Sequence, residues 1–187
     1  MYTPGPQQYQ PAETPQLQAV PQPQVQEKPK APAKAKTPGN DVGAFIQQCI
    51  SLCAYIKELE TQSHLIHLNI ECPDFISVHK FLGDQYETHL EQFDKLAEFI
   101  RSMDFYLPKC ACELREAAPQ MQVVSSYEWK NMLGVYYKNL EELGMKAKKL
   151  EPIAQKIGAI DIANFLADLV GQAFKAAWFI KSILRAA

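Results

Sequence analysis

The stretch HLNIECPDFISVHK, residues 67–80, places His67 and His79 twelve residues apart with Cys72-Pro73-Asp74 between them. On one continuous helix the two imidazoles would stand roughly 18 Å apart, too far to share an ion or a proton. Pro73 biases Cys72 away from helical geometry, and Asp74 is a residue type that caps a new helix. The stretch therefore predicts a hinge: one helix ends near residue 70, a second begins near 74, and the chain folds back so that the two histidines approach each other.

Working outward, Phe45, Ile46, Cys49, Ile50, Cys53 and Ile56 recur at helical spacing and lead through Glu60 and Ser63 to His67. Beyond the hinge, Phe75, His79, Leu82, Tyr86, Leu90, Phe93, Ala97 and Ile100 form a second stripe that should stop before Pro108. A long connection over about residues 104–125 follows, in which CACELREAA has the length of one or two helical turns. Ser125-Ser126-Tyr127-Glu128 has the form of a capping box opening helix three, whose stripe runs from Trp129 to Leu150. Pro152 should kink or break it. Gly158 suits a stop and Asp161 the next N-cap.

Helix four carries Ile162, Phe165, Leu169, Ala173, Ala176 and Ile180 on one side, with Val170, Phe174 and Trp178 beside them. A helix apolar on more than one face needs more than one neighbour, so this one predicts self-association. The fold class is all-α: a four-helix bundle with a short extra helix in the long connection between helices two and three.

Residues 1–41 read differently. Up to residue 40 the chain holds nine of its thirteen prolines, eight glutamines, four lysines (Lys28, Lys30, Lys34, Lys36) and two acids, Glu13 and Glu27. Such a segment buries too little surface to offset its ordering entropy and predicts a disordered tail, leaving residues 42–187 as one domain. Beyond residue 40 the chain has 15 Lys and Arg against 19 Asp and Glu, a balance that gives the body no basic nucleic-acid surface. No apolar run is long enough to span a membrane and no secretory signal pattern opens the chain, so a cytoplasmic protein is expected. Five cysteines with no CxxC pair favour reduced thiols: Cys49 and Cys53 in the core, Cys110 and Cys112 incidental in a loop.

On helix two, Asp94 and Glu98 share a face. By itself such a pair is more often a solvated acidic patch. His79, fifteen residues earlier, lies about 22 Å away along the axis but within about 60° of the same face. An identical helix packed antiparallel across a two-fold axis would bring His79 of one chain to Asp94 and Glu98 of the other, twice. Such mixed N and O donors suit ferrous iron, zinc or manganese. The Glu-x-x-His pattern of an intrasubunit di-iron bundle is absent, since no histidine has a Glu three positions before it.

The run from His67 through HKFLGDQYETHLEQFDKLAE, ending at Glu98, resembles the Dps mini-ferritins, the DNA-binding proteins of starved cells, as does the closing AFKAAWFIKSIL. The resemblance implies a ferritin-like bundle assembled into a hollow dodecamer. Its sites, at two-fold interfaces, would oxidise Fe(II), preferentially with hydrogen peroxide, and the shell would store ferric iron and protect DNA. It implies metal ligands His67 and His79 from one chain with Asp94 and Glu98 from its mate.

Where the family usually carries a ligating Asp, four residues after His79, this chain has Gly83. Asp84 is a further candidate ligand, lying about 100° further round the helix and reaching a site only through water or a local distortion. The residue after His67 is Leu68 where relatives often carry Trp, which leaves Tyr86 and Trp178 as candidate aromatic reductants. His64 is expected beside the site and His89 at the surface. The lysine-bearing tail is a candidate DNA contact, which would make the protein nucleoid-associated. The alternative is a noncatalytic shell or DNA-compacting protein whose centre Gly83 impairs.

Overall fold

The structure, a computed structural model, describes residues 40–186. The tail predicted over residues 1–41 lies almost wholly outside the described residues. Five helices appear in chain order: α1 Asn40–Asn69, α2 Phe75–Ser102, α3 Ala111–Ala117, α4 Trp129–Lys156 and α5 Ile160–Ala186. Among the described residues there is no strand.

The cross-helix contacts fix the topology. Tyr55 on α1 donates to the Asn139 carbonyl on α4, whereas Gln62, further along α1, meets the Asn139 side chain and Ile66 shares a groove with Met132. α1 and α4 thus run antiparallel. On the other side Phe81 meets Phe179, Gln92 meets Gln172 and Phe99 meets Phe165, so α2 and α5 are antiparallel as well. With short turns joining α1 to α2 and α4 to α5, helices α2 and α4 must point the same way. The connection between them therefore has to climb the full length of the bundle, about 40 Å for a 28-residue helix.

The core is the meeting of the inward stripes. Phe45, Ile46, Cys49, Cys53, Ile56, Leu82, Leu96, Ile100, Leu133, Leu140, Leu143, Leu166 and Ile180 are all fully buried. At Gly144 an added Cβ would meet the Phe174 ring at 2.9 Å, so the bare backbone of α4 lets that ring of α5 lie close. Asn139, buried in α4, holds the long connection down: it donates to Gln62 Oε1 and the Gln122 carbonyl at 2.9 and 2.8 Å and accepts from the Gln122 N–H at 3.1 Å.

Several local expectations change. The α2 stripe is rotated: Val78, His89, Gln92 and Leu96 are buried, whereas Leu90 and Phe75 are exposed. α4 is capped by Glu128, whose side chain accepts from the Asn131 N–H at 3.1 Å. Ser125 and Ser126 instead donate their backbone N–H groups to Asn131 Oδ1. The helix runs through Pro152 to Lys156, because the hydrogen bond that Pro152 cannot donate would fall on an exposed turn, where its loss costs little.

Gly158 stops α4 as expected. At φ 80° it gives its N–H to the Gln155 carbonyl while Ala159 reaches Ala154, a Schellman arrangement. Asp161 falls inside the first turn of α5, accepting from the Ile162 N–H rather than capping. Cys110 and Cys112 are joined as a disulfide, which corrects the reading of incidental free thiols.

Candidate metal centre

The turn at residues 70–74 brings the two histidines together. The Phe75 N–H bonds the Cys72 carbonyl at 3.1 Å, while Asp74 occupies the N-cap position of α2 without a side-chain cap bond. His67 and His79 then stack with ring centroids 3.7 Å apart and planes 20° apart. Their bonding is reciprocal: His67 Nδ1 lies 2.8 Å from the His79 carbonyl and His79 Nδ1 lies 2.9 Å from the His67 carbonyl. A carbonyl oxygen only accepts, so each Nδ1 carries a proton, and in the neutral ring the lone pair is then on Nε2. Fixing the outer nitrogen in this way orients an imidazole for metal ligation through the other.

Rings extend the stack on both sides. Phe75 packs on His79 at 5.0 Å, Tyr86 stands edge-on to His67 at 5.5 Å, and His64, itself exposed, stacks on Tyr86 at 4.2 Å. Trp178 packs on Phe179, and among the described residues no ring contact joins it to the histidine pair.

Position 83 faces His67. An added Cβ there would sit 3.4 Å from His67 Cε1 and 3.6 Å from Nδ1, so the residue four beyond His79 points at the site but supplies no ligand. Asp84 turns outward, exposed, with the Lys80 ammonium 4.0 Å away. Asp94 and Glu98 are both exposed on α2, and among the described residues neither forms an ion pair or side-chain hydrogen bond. At about 22 and 28 Å along the helix from His79 they lie out of reach of its own imidazole. Accordingly, among the described residues no cluster of three or more His, Cys, Asp or Glu side chains converges. One chain offers two imidazole donors and, separately, two unengaged carboxylates.

His89 is not at the surface. It is buried, with Nδ1 2.8 Å from Gln92 Oε1 and Nε2 2.8 Å from the Tyr136 hydroxyl, and Gln92 passes the chain on to Gln172 Oε1 at 2.7 Å. Burial pushes its basicity down to about 4, partly countered by the Gln92 bond and the nearby Glu60. The polar chain borders a groove of about 470 Å³ between α2 and α5, which Lys95, Asp168 and Lys175 also line. The sequence signal that would have found His89 is its sevenfold spacing between Leu82 and Leu96, both fully buried.

Among the described residues no helix is long and apolar enough to cross a membrane. A family-level match to the ferritin-like domain covers residues 57–187, more than half of the chain. The DNA protection during starvation protein of Helicobacter pylori (strain J99) is 24% identical over 122 residues, covering 65% of this chain and 85% of that protein. Among solved structures, antigen TpF1 from Treponema pallidum aligns with a TM-score of 0.73 at 20% identity, over 82% of this chain and 98% of its own. Dps from Thermosynechococcus elongatus aligns at 0.73 and 19% identity, over 77% of this chain and 92% of its own. The chain belongs to the ferritin-like domain family, and its likeness to Dps proteins holds in both sequence and fold.

Proposed function

We propose that this protein is a Dps-type mini-ferritin that oxidises Fe(II) and stores the ferric product inside a homo-oligomeric shell, a dodecamer in the reading drawn from its relatives. In this reading His67 and His79 of one chain and Asp94 and Glu98 of its mate bind ferrous iron across a two-fold interface. The observation that carries it is the reciprocal bonding of the histidine pair, which presents two oriented Nε2 atoms and, among the described residues, no third ligand from the same chain. The two carboxylates that complete a mixed N and O site are present but unengaged, as a ligand set divided between copies requires. The same donors suit zinc or manganese, which would then compete with iron.

Hydrogen peroxide is the preferred oxidant here. Two ferrous ions deliver two electrons to one peroxide, which with two protons leaves two water molecules and no hydroxyl radical. In this way the activity protects DNA. Gly83 removes one carboxylate from the site, so the second iron binds weakly and turnover is slow. Lysines 28, 30, 34 and 36, repeated on every copy, give the shell a weak, salt-sensitive hold on DNA and a nucleoid-associated place in the cytoplasm.

The second reading, a noncatalytic shell or DNA-compacting protein, rests on Gly83 alone. Aerobic and peroxide-driven Fe(II) oxidation, measured on protein whose assembly is established by native mass, separates the two. Oxidation above the buffer rate by a dodecamer supports the ferroxidase, whereas a dodecamer at the buffer rate selects the second reading.

A further inference from the structure

The five cysteines divide into two chemical groups. Cys49 and Cys53 are fully buried, and burial pushes the Cys49 thiol up to about 12 and the Cys53 thiol upward too, with Cys49 beside it adding to the shift. The Cys72 thiol is half-buried and raised as well, chiefly by desolvation. All three are poor nucleophiles at neutral pH. Cys110 and Cys112 are different: they are bonded to each other, their Cα atoms are 5.4 Å apart, and Cys112 is exposed while Cys110 is half-buried.

Stability does not explain this bond. It closes a loop with one residue between the cysteines, so it removes little entropy from the unfolded chain. The short α3 that follows has its own tethers, since Arg115 reaches Glu58 of α1 at 3.4 Å and Lys109 pairs with Glu113 at 3.3 Å. Accessible disulfides that hold little in place are the ones that thiols open.

We propose that Cys110–Cys112 is a thiol–disulfide exchange site for low-molecular-weight thiols, with Cys112 the sulfur attacked and Cys110 the sulfur that leaves. Access decides the first assignment, because Cys112 is the exposed member. The second follows from the cap of α3: the Glu113 N–H points at Cys110 Sγ at 3.3 Å, so the charge of the departing thiolate arrives where a donor already stands.

In the first step a thiolate RS⁻ bonds to Cys112 Sγ, the S–S bond breaks, and its electron pair goes to Cys110, which takes a proton from water. In the second step another RS⁻ attacks the R sulfur of the mixed disulfide and releases the Cys112 thiolate, which is protonated likewise, together with RSSR. The protein gains two electrons and two protons, the thiols lose them, and RSSR drives the reverse reaction. No iron takes part, so the site is independent of the ferroxidase reading.

The test uses the full-length assembled protein in mixtures of glutathione and glutathione disulfide, quenched by alkylation and read by peptide mass. The expected result is that reducing mixtures expose two thiols per chain, at Cys110 and Cys112 only, and oxidising mixtures close them again. A pair that stays closed in native protein while the urea-unfolded chain is fully reduced overturns the proposal. So does a pair that remains open in the oxidising mixture. For the assignment of roles, Cys110→Ser should accumulate a glutathione mixed disulfide at Cys112 on the order of tenfold faster than Cys112→Ser does at Cys110. Equal or reversed rates, in variants that keep the wild-type helical content, overturn it.

Discussion

Gly83 lies against His67: a side chain at position 83 would begin 3.4 Å from the His67 ring, at ordinary contact distance. The position has room for a residue, and that residue would face His67.

Gly83→Asp is therefore expected to fold normally and to speed Fe(II) oxidation several-fold. Replacing Gly inside a helix with a better helix former offsets part of any crowding against His67, so thermal stability should change by no more than about 1 kcal/mol. Stopped-flow oxidation and titration of iron per site check this. Gly83→Ala, which adds bulk without a carboxylate, should not speed the reaction.

The histidine pair is a mutual lock, and each half depends on the other. His67→Ala or His79→Ala removes a metal donor and also leaves one backbone carbonyl without its partner, at a cost of about 1–3 kcal/mol where that carbonyl is shielded from water. Oxidation should fall to the buffer rate in either variant, and chemical denaturation should show the smaller stability loss alongside it.

His89 makes stability depend on pH. In the folded chain burial holds it neutral down to about 4, whereas in the unfolded chain it protonates near 6.5. Between those values the unfolded state binds the extra proton. The contribution is thus fully present above about pH 6.5 and is lost as pH falls toward 4, amounting to about 3 kcal/mol across the window. Urea unfolding at pH 7, 6, 5 and 4.5 should show that loss in the wild type and a shallower dependence in His89→Gln.

Asn139 ties the long connection to the bundle through one donated and one accepted bond to the Gln122 backbone, and donates a second bond to Gln62 of α1. Asn139→Ala leaves the Gln122 N–H without its acceptor and Gln62 Oε1 without its donor, while the Gln122 carbonyl keeps the Gln62 side-chain N–H at 2.9 Å, and should cost about 1–3 kcal/mol. Protection of residues 118–126 from hydrogen exchange should fall, while that of α5 should stay unchanged.

The reading of the chain succeeded where burial and apolarity coincide. The stripes of α1, α4 and α5 and the hinge at Pro73 follow from spacing and from one proline; Cys49, Ile56, Ile162 and Ile180 named there are fully buried, whereas Trp178 beside the α5 stripe is exposed. It failed on α2, where His89 and Gln92 face inward because they satisfy each other, Tyr136 and Gln172, so polarity hid a buried face. Capping by Glu128 depends on its own side chain reaching the Asn131 N–H, and continuity through Pro152 on solvent exposure, neither of which a residue pattern carries. The Cys110–Cys112 bond was missed because a one-residue spacing matches no metal pattern and a reduced setting was assumed. Of the candidate site, the His67–His79 pairing was legible as a hinge. Asp84, a further candidate ligand about 100° round the helix from position 83, is exposed and faces Lys80 instead.

Complementation between defective chains tests the shared site most directly. One chain carries His67→Ala and His79→Ala, and the other carries Asp94→Ala and Glu98→Ala. Each alone should oxidise Fe(II) at the buffer rate while assembling normally by native mass. Co-assembled at random in equal amounts, about a quarter of the two-fold sites would draw intact histidines from one parent and intact acids from the other, so about a quarter of the wild-type rate should return. Mixed shells that stay at the buffer rate, or an acid variant active by itself, would contradict a ligand set divided between two copies.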